Sequence, residues 1–210
     1  MSSTLTEPVP PALRVMVARR SVSMPTAPGP TAHEIDLILQ AATTVPDHGA
    51  LHPWRFVVIE GEGRQRFADG LVASALEGRP DLPPELLDKV RKKAFVAPCL
   101  IAVIASPTEG GKIPVWEQVA SASCSGYAMA LAAYALGLAA MWKSTNFGDG
   151  AGLRSVLAMG ASEQLLGWVN VGTAGVDAME EDVPRPAVDL GRFATVLGAE
   201  GISPYQPLGA

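Results

Sequence analysis

The stretch "VPDHGALHPWRFVVIEGEG", residues 45–63, holds two of the chain's three histidines, four positions apart. On a helix, His48 and His52 at that spacing would face one zinc ion. Gly49 and Pro53 oppose a helix there, no glutamate follows the first histidine as an HExxH motif requires, and His33 is the only further imidazole. Metal binding is therefore not the favoured reading. Cys99 and Cys124 are far apart, each among apolar or small residues, with no CxxC spacing, and read as two buried thiols in a reducing cytosol. Neither cysteine has a basic neighbour, no GxSxG elbow occurs, and "GEGRQR" lacks the third glycine of a dinucleotide loop. Hydrolysis, phosphoryl transfer and a Rossmann cofactor all lack their equipment.

Three separated groups of polar and aromatic residues remain: "RRS" at 19–21, "PDHGALHPW" at 46–54 and "WKS" at 142–144. Two of them set cations beside a serine hydroxyl, which suits a phosphate held by charge-assisted hydrogen bonds worth roughly 1.5–3 kcal/mol each. A phosphorylated, planar cofactor fits this chemistry.

Composition agrees with a small-molecule site. The 210 residues are 48% hydrophobic and 18% charged, enough for one compact core. Acidic residues outnumber basic ones 21 to 16, for a net charge of −5, which argues against nucleic acid as a partner. The twin arginine of "VARRSVSM" is followed by "PTAPGPTAHEI" rather than an apolar stretch, so it is not read as an export signal. No charge occurs between Glu117 and Lys143, but the strongly apolar part, Ala128–Trp142, would reach only about 22 Å as a helix, short of a bilayer core of about 30 Å. The expectation is a cytoplasmic protein with no membrane span.

The elements that must position these groups follow from periodicity. Residues 1–11 read as a loose tail, and 12–210 as a single domain with an extended C-terminal tail. A short helix is expected from Pro11 to Arg19, and a second after the capping-box pattern Thr31–Glu34, with Ile35, Ile38, Leu39 and Ala42 on one face. "WRFVVIE" and "CLIAVIA" read as strands, the second buried on both faces. Between them "GRQRFADGLVASALEG" and "PPELLDKVRKKAF" read as helices, and further strands are expected at 139–144 and 165–172. The uncharged helix has a bulky stripe, Tyr127, Leu131, Tyr134 and Leu138, beside an alanine stripe, 128, 132, 135 and 139. A helix without a polar side is expected to be buried all round, its alanines admitting another backbone from the same chain or a partner. The run "KVRKK" at 89–93 either attracts nucleotide phosphates or is a solvated face supported by Glu85–Lys89 and Asp88–Lys92 pairs. Overall the pattern is α+β or α/β.

With these residues in order, the sequence resembles the FMN-dependent nitroreductase family, in its compact single-domain branch. The resemblance runs from about Leu13 to Thr173. It rests on "RRS" after the first helix, Pro46–Asp47–His48, Pro53–Trp54 with Phe56 and "VIEGEGR" at 58–64, Pro114 with Trp116–Glu117–Gln118, and Trp142–Lys143–Ser144. It implies an α+β three-layer fold, with a mostly antiparallel central sheet flanked by helices and a long buried central helix, in a homodimer with flavin sites at the subunit interface. It also implies that Arg19, Arg20 and Ser21 contact FMN, that Trp142, Lys143 and Ser144 close the site, and that Thr44 and His48 reach the partner's flavin. Plainer readings stay open: Arg20 as a surface charge, His48 as a brace for its own loop, Trp142 as core.

The implied activity is ping-pong: NAD(P)H delivers hydride to FMN, then a nitroaromatic or quinone-like acceptor replaces it. The cofactor carries the chemistry, so no catalytic side chain is expected. An FMN-storing protein with little turnover is the alternative. The sequence departs from the branch at Lys143, where arginine is frequent and would supply a bidentate fork; at His52; and at "GTAG" after the last strand.

Overall fold

The computed structural model describes residues 10–175 and 188–206. The chain divides into two compact units, one within Pro10–Met179 and the other within Glu180–Ala210. Most of the tail expected over 1–11, and the path from 176 to 187, lie outside the described residues.

In the larger unit α1 (Pro11–Ala18) starts on a proline whose fixed φ suits a first helical turn, and none of its residues is buried. The capping box is present on α2 (Ala32–Ala42): the Thr31 hydroxyl accepts from the Glu34 N–H at 3.3 Å, and the Glu34 carboxylate accepts from the Thr31 N–H at 2.7 Å. Then come β1 (Trp54–Glu60), α3 (Gly63–Gly78), α4 (Pro84–Lys92), β2 (Cys99–Ala105), α5 (Val115–Ala135), β3 (Leu138–Lys143), α6 (Ala151–Val156) and β4 (Gln164–Thr173). The four strands form one sheet in the order β1-β2-β4-β3, antiparallel throughout.

Every residue of β2 is buried. Because side chains alternate along a strand, Leu100, Ala102 and Ile104 join Phe67, Leu71 and Leu153 on one face, while Cys99, Ile101 and Val103 join Ile38, Met129 and Ala133 on the other. Helices α3 and α6 cover the first face and α2 and α5 the second, which gives the three layers expected from the resemblance. The smaller unit contains a hairpin, β5 (Thr195–Gly198) paired with β6 (Gly201–Pro204). Sequence reading gave only a tail there and also missed α6, since four- and six-residue elements are too short to show a period.

Helix α5 corrects one expectation. Its inner face is buried through Gln118, Ala122, Ser125, Met129 and Ala133, but Trp116 is 70% and Tyr127 46% exposed, so within this chain it is not covered all round. Cys124 shares the open side and is not a buried thiol, whereas Cys99 is buried, which pushes its pKa up to about 12. An apolar pattern on every side of a helix does not by itself secure burial within its own chain.

Two contacts fix the ends of the sheet. The Arg55 guanidinium on β1 grips Glu163 at 2.7 and 2.9 Å and also donates to the carbonyls of Leu157 and Ala158, tying the α6–β4 loop to the sheet. Those hydrogen bonds from Arg55 pull the Glu163 carboxyl from 4.5 down to about 2. At the other end, Trp142 of β3 lies so close to α5 that a Cβ on Gly126 would come within 2.0 Å of the indole ring.

Glu163→Gln should cost about 2 kcal/mol at neutral pH, a figure allowing for screening at the partly exposed arginine. A carboxyl acidified by folding stabilises above its unfolded pKa, so this difference should be complete above about 4.5 and fade as pH falls through about 2. Urea midpoints of the two proteins at several pH values check it. Gly126→Ala should displace the Trp142 indole and destabilise by about 1–3 kcal/mol, read as a lower Tm with altered tryptophan fluorescence.

Candidate functional site

Strand alternation sorts the "WKS" group. In the β3–β4 register Lys143 stands opposite Trp168 and Met141 opposite Asn170, while Trp142 stands opposite Val169. Lys143, Trp168 and Asn170 therefore share one face of the sheet, and Trp142 points to the other, against α5. Serving one ligand with all three residues of the triplet from a single face is ruled out by the pleat.

A cleft of about 370 Å³ opens on the Lys143 face, where Lys93, Lys143, Ser144, Ser23, Trp168 and Asn170 line it. Lys93 arrives from the short turn that follows α4. The Asn170 side chain is completely buried, and among the described residues both its amide nitrogen and its amide oxygen lack a hydrogen-bond partner. The indole Nε1 of Trp168 is in the same condition. Buried polar atoms left unmatched cost roughly 1–3 kcal/mol each, so their persistence in a cavity wall marks a place where a ligand supplies the match. Burial, and then the neighbouring Lys143 ammonium, hold the Lys93 pKa below the usual lysine range. With two ammoniums, two hydroxyls, an indole N–H and a free amide, the cleft suits an anionic ligand with a planar, polar edge.

The segment that follows "RRS" reaches the same neighbourhood. Arg19 leaves the helix in an extended conformation, the Val22 N–H donates to the Ala140 carbonyl of β3 at 3.1 Å, and Ser23 continues into the cleft wall. An Arg19 Nη donates to the Ser21 hydroxyl at 3.3 Å. Arg20 folds back on the end of α1, donating to the Ala18 carbonyl at 2.9 Å and the Val17 carbonyl at 3.3 Å, where carbonyls left over by the helix welcome a cation. The structure thus brings the segment after Ser21 alongside β3, while Arg19, Arg20 and Ser21 themselves do not line the cleft.

The histidine loop lies elsewhere. Asp47 accepts from the backbone N–H groups of Leu51 and His52 at 3.2 and 2.8 Å, wrapping the chain around a turn in which Gly49 has φ +78°. The loop is fastened to α5 by His48 Nδ1 against Glu117 at 2.7 Å and by the Ser121 hydroxyl donating to the Pro46 carbonyl at 2.6 Å. The Thr44 hydroxyl donates to the Ala41 carbonyl at 2.8 Å. His48 lines a different hollow, of about 250 Å³, with Pro46, Glu117 and Cys124. Neither Thr44 nor His48 is brought to the cleft of its own chain. The His52 ring stands edge-on to Trp54, 5.8 Å away, and among the described residues no three His, Cys, Asp or Glu side chains are grouped to hold a metal.

Sequence reading missed Asn170, Trp168 and Ser23, and took Lys93 only as part of a charge run. A signal for Asn170 was present: an asparagine inside the otherwise apolar strand "LLGWVNVG" must find a partner or line a cavity. Its companions are identified only once the register is known.

Comparison with known proteins bears on the same region. A model of the Nitroreductase family matches residues 16–173. The Escherichia coli (strain K12) protein named "Putative NAD(P)H nitroreductase YdjA" is 36% identical over 176 residues, covering 83% of this chain and 95% of its own. A Haemophilus influenzae protein named "Putative NAD(P)H nitroreductase" is 36% identical over 188 residues, covering 89% and 99%. The solved structure of an FMN and NADPH-dependent nitroreductase, NfnB from sphigopyxis sp. strain HMH, superposes with a TM-score of 0.66 at 20% identity, covering 89% of this chain and 99% of that one. That likeness is one of fold, the nitroreductase-like α+β arrangement. With a family model spanning most of the chain and relatives matched along nearly their whole length, the chain belongs to the Nitroreductase family.

Proposed function

We propose that this chain is an FMN-dependent oxidoreductase that takes hydride from NAD(P)H and passes electrons to nitroaromatic or quinone-like acceptors by a ping-pong route. The observation that carries the reading is the Asn170 amide, buried and without a partner among the described residues, in a cleft that also holds Lys93 and Lys143. The group fits: a flavin's pyrimidine edge offers both a donor and acceptors, which an amide matches with its oxygen and nitrogen, and its phosphate asks for cations and hydroxyls. FMN, when bound, supplies the two-electron chemistry, and the protein's residues supply binding, orientation and charge.

Asn170 would hold the polar edge of the ring and fix its plane. Lys93 and Lys143 would place positive charge where negative charge develops, in a site that needs no rearrangement to do so. Arg19, Arg20, Ser21 and Ser144 would hold the phosphate and ribityl chain. Trp142 would act from behind the strand, its indole on Gly126 setting the position of Lys143. Thr44 and His48, remote from the cleft of their own chain, would serve the flavin of a second copy.

A homodimer accounts for the open apolar surface. Leu13, Met16 and Val17 on α1 are 49%, 44% and 58% exposed, and Trp116 and Tyr127 on α5 are exposed as well. Surfaces of this kind mark protein contacts, and a two-fold axis would cover both helices at once. Relatives named as putative NAD(P)H nitroreductases support the oxidoreductase reading.

Asn170→Leu should raise the Tm of the flavin-free protein, because an unmatched buried amide is removed, while weakening FMN about tenfold, or about 1.4 kcal/mol. Arg20→Ala should keep the fold and lose FMN affinity or reduction rate. Fluorescence titration with FMN alongside thermal melts reads both, and unchanged FMN binding in the two variants would sink the assignment. Sedimentation should give two chains per particle, and Met16→Asp with Tyr127→Asp should give single chains that no longer retain FMN.

A further inference from the structure

A second cavity adjoins the first. Between α3, α4 and the loop at Asn146–Phe147 runs a groove of about 390 Å³, and Lys93 lines both it and the flavin cleft. Its apolar walls include Leu82, Leu86 and Phe147, and Arg79 and Lys89 join Lys93 as the charged groups lining it. No carboxylate lines it, in a chain whose net charge is −5.

Among the described residues two of these cations take no part in ion pairs. The Glu85–Lys89 pair that helical spacing allows is not formed, and among the described residues neither Arg79 nor Lys89 has a side-chain hydrogen bond or ion pair. The nearby Arg91, by contrast, pairs with Asp69 at 2.7 Å. Lys93 is seated over the Phe147 ring, 5.3 Å from its centre, so its ammonium is held at the junction of the two cavities. Three cations spread along an apolar trough call for a ligand that is both multiply anionic and aromatic, and that extends out of the flavin cleft.

We propose that this groove receives the phosphate-bearing adenosine end of the hydride donor, and that Arg79 and Lys89 make NADPH the preferred donor over NADH. The inference rests on the oxidoreductase reading above and assigns one of its substrates. The nicotinamide must lie at the flavin, so the rest of the dinucleotide leaves through whichever opening adjoins it. Adenine can lie on the leucines and Phe147. Lys93, at the junction with the cleft, then meets the pyrophosphate common to both donors, while Arg79 and Lys89 meet the 2′-phosphate, the one group that distinguishes them. A singly charged acceptor would leave most of this charge unmatched.

The test compares wild type with Arg79→Ala, Lys89→Ala and the double variant. Steady-state KM values for NADPH, NADH and a quinone acceptor are measured with FMN content recorded by absorbance, and 2′,5′-ADP binding is measured by calorimetry with and without FMN. The expected result is a KM for NADPH raised about tenfold in the double variant, with that for NADH nearly unmoved, a full complement of FMN and a parallel loss of 2′,5′-ADP affinity. An unmoved KM for NADPH, or a raised KM for the acceptor alone, overturns the assignment. Absence of FMN from every preparation would count against the flavoenzyme reading, and the calorimetry would still decide the groove: wild-type binding of 2′,5′-ADP lost in the double variant upholds it, and no wild-type binding overturns it.

Discussion

The burial of β2 on both faces is the constraint from which the remaining architecture follows. Seven consecutive buried residues, Cys99–Ala105, leave no face for solvent, so each face must be covered by helices, and the alternation along the strand hands its side chains to two separate cores. At about 25 cal/mol per Å² of apolar surface removed from water, no surface interaction in the chain competes with this. The neighbours β1 and β4 satisfy its backbone on both sides, and β4 carries Trp168 into one core and Val169 and Val171 into the other.

The candidate site arises where this covering ends. On the face that α3 and α6 close, the cover continues over Trp168 but gives way toward Asn170 and Lys143, and the turn after α4 contributes Lys93 rather than another apolar side chain. The same strand that builds the core thus also walls a cleft whose apolar lining carries two lysines. Lys143 reaches that cleft because Trp142, one position earlier, is committed to the other face, where Gly126 leaves room for its indole. Position in the pleat, more than residue type, sends Trp142 to the core and Lys143 to the cleft.

Much of this was legible in the sequence where the signal was local. The capping box at Thr31–Glu34, the two apolar strands and the proline-led first helix need only neighbouring residues to be recognised, and they form as expected. The ordered motifs "RRS", "PDH" and "WKS" led to the family. What escaped depends on long-range pairing. Asn170 and Lys93 meet only through the register of β4 and the packing of α4's end, and the strand expected at 139–144 divides Trp142 from Lys143, but which of the two faces α5 shows only in the register with β4. The open side of α5 escaped for another reason, since periodicity registers an apolar face without naming what covers it. Elements of four to six residues, such as β5, β6 and α6, are shorter than the window in which any period can be seen.

A flavin held in the cleft around Asn170, Lys93 and Lys143, and reducible by a pyridine nucleotide, is what we propose for this chain. The most direct measurement is the visible absorbance of the purified chain after saturation with FMN and desalting, followed by anaerobic NADPH. Flavin bands that survive desalting at one per chain and bleach when NADPH is added are the predicted result. A chain that emerges colourless, or one that keeps its bands unchanged in the presence of both NADPH and NADH, would contradict it.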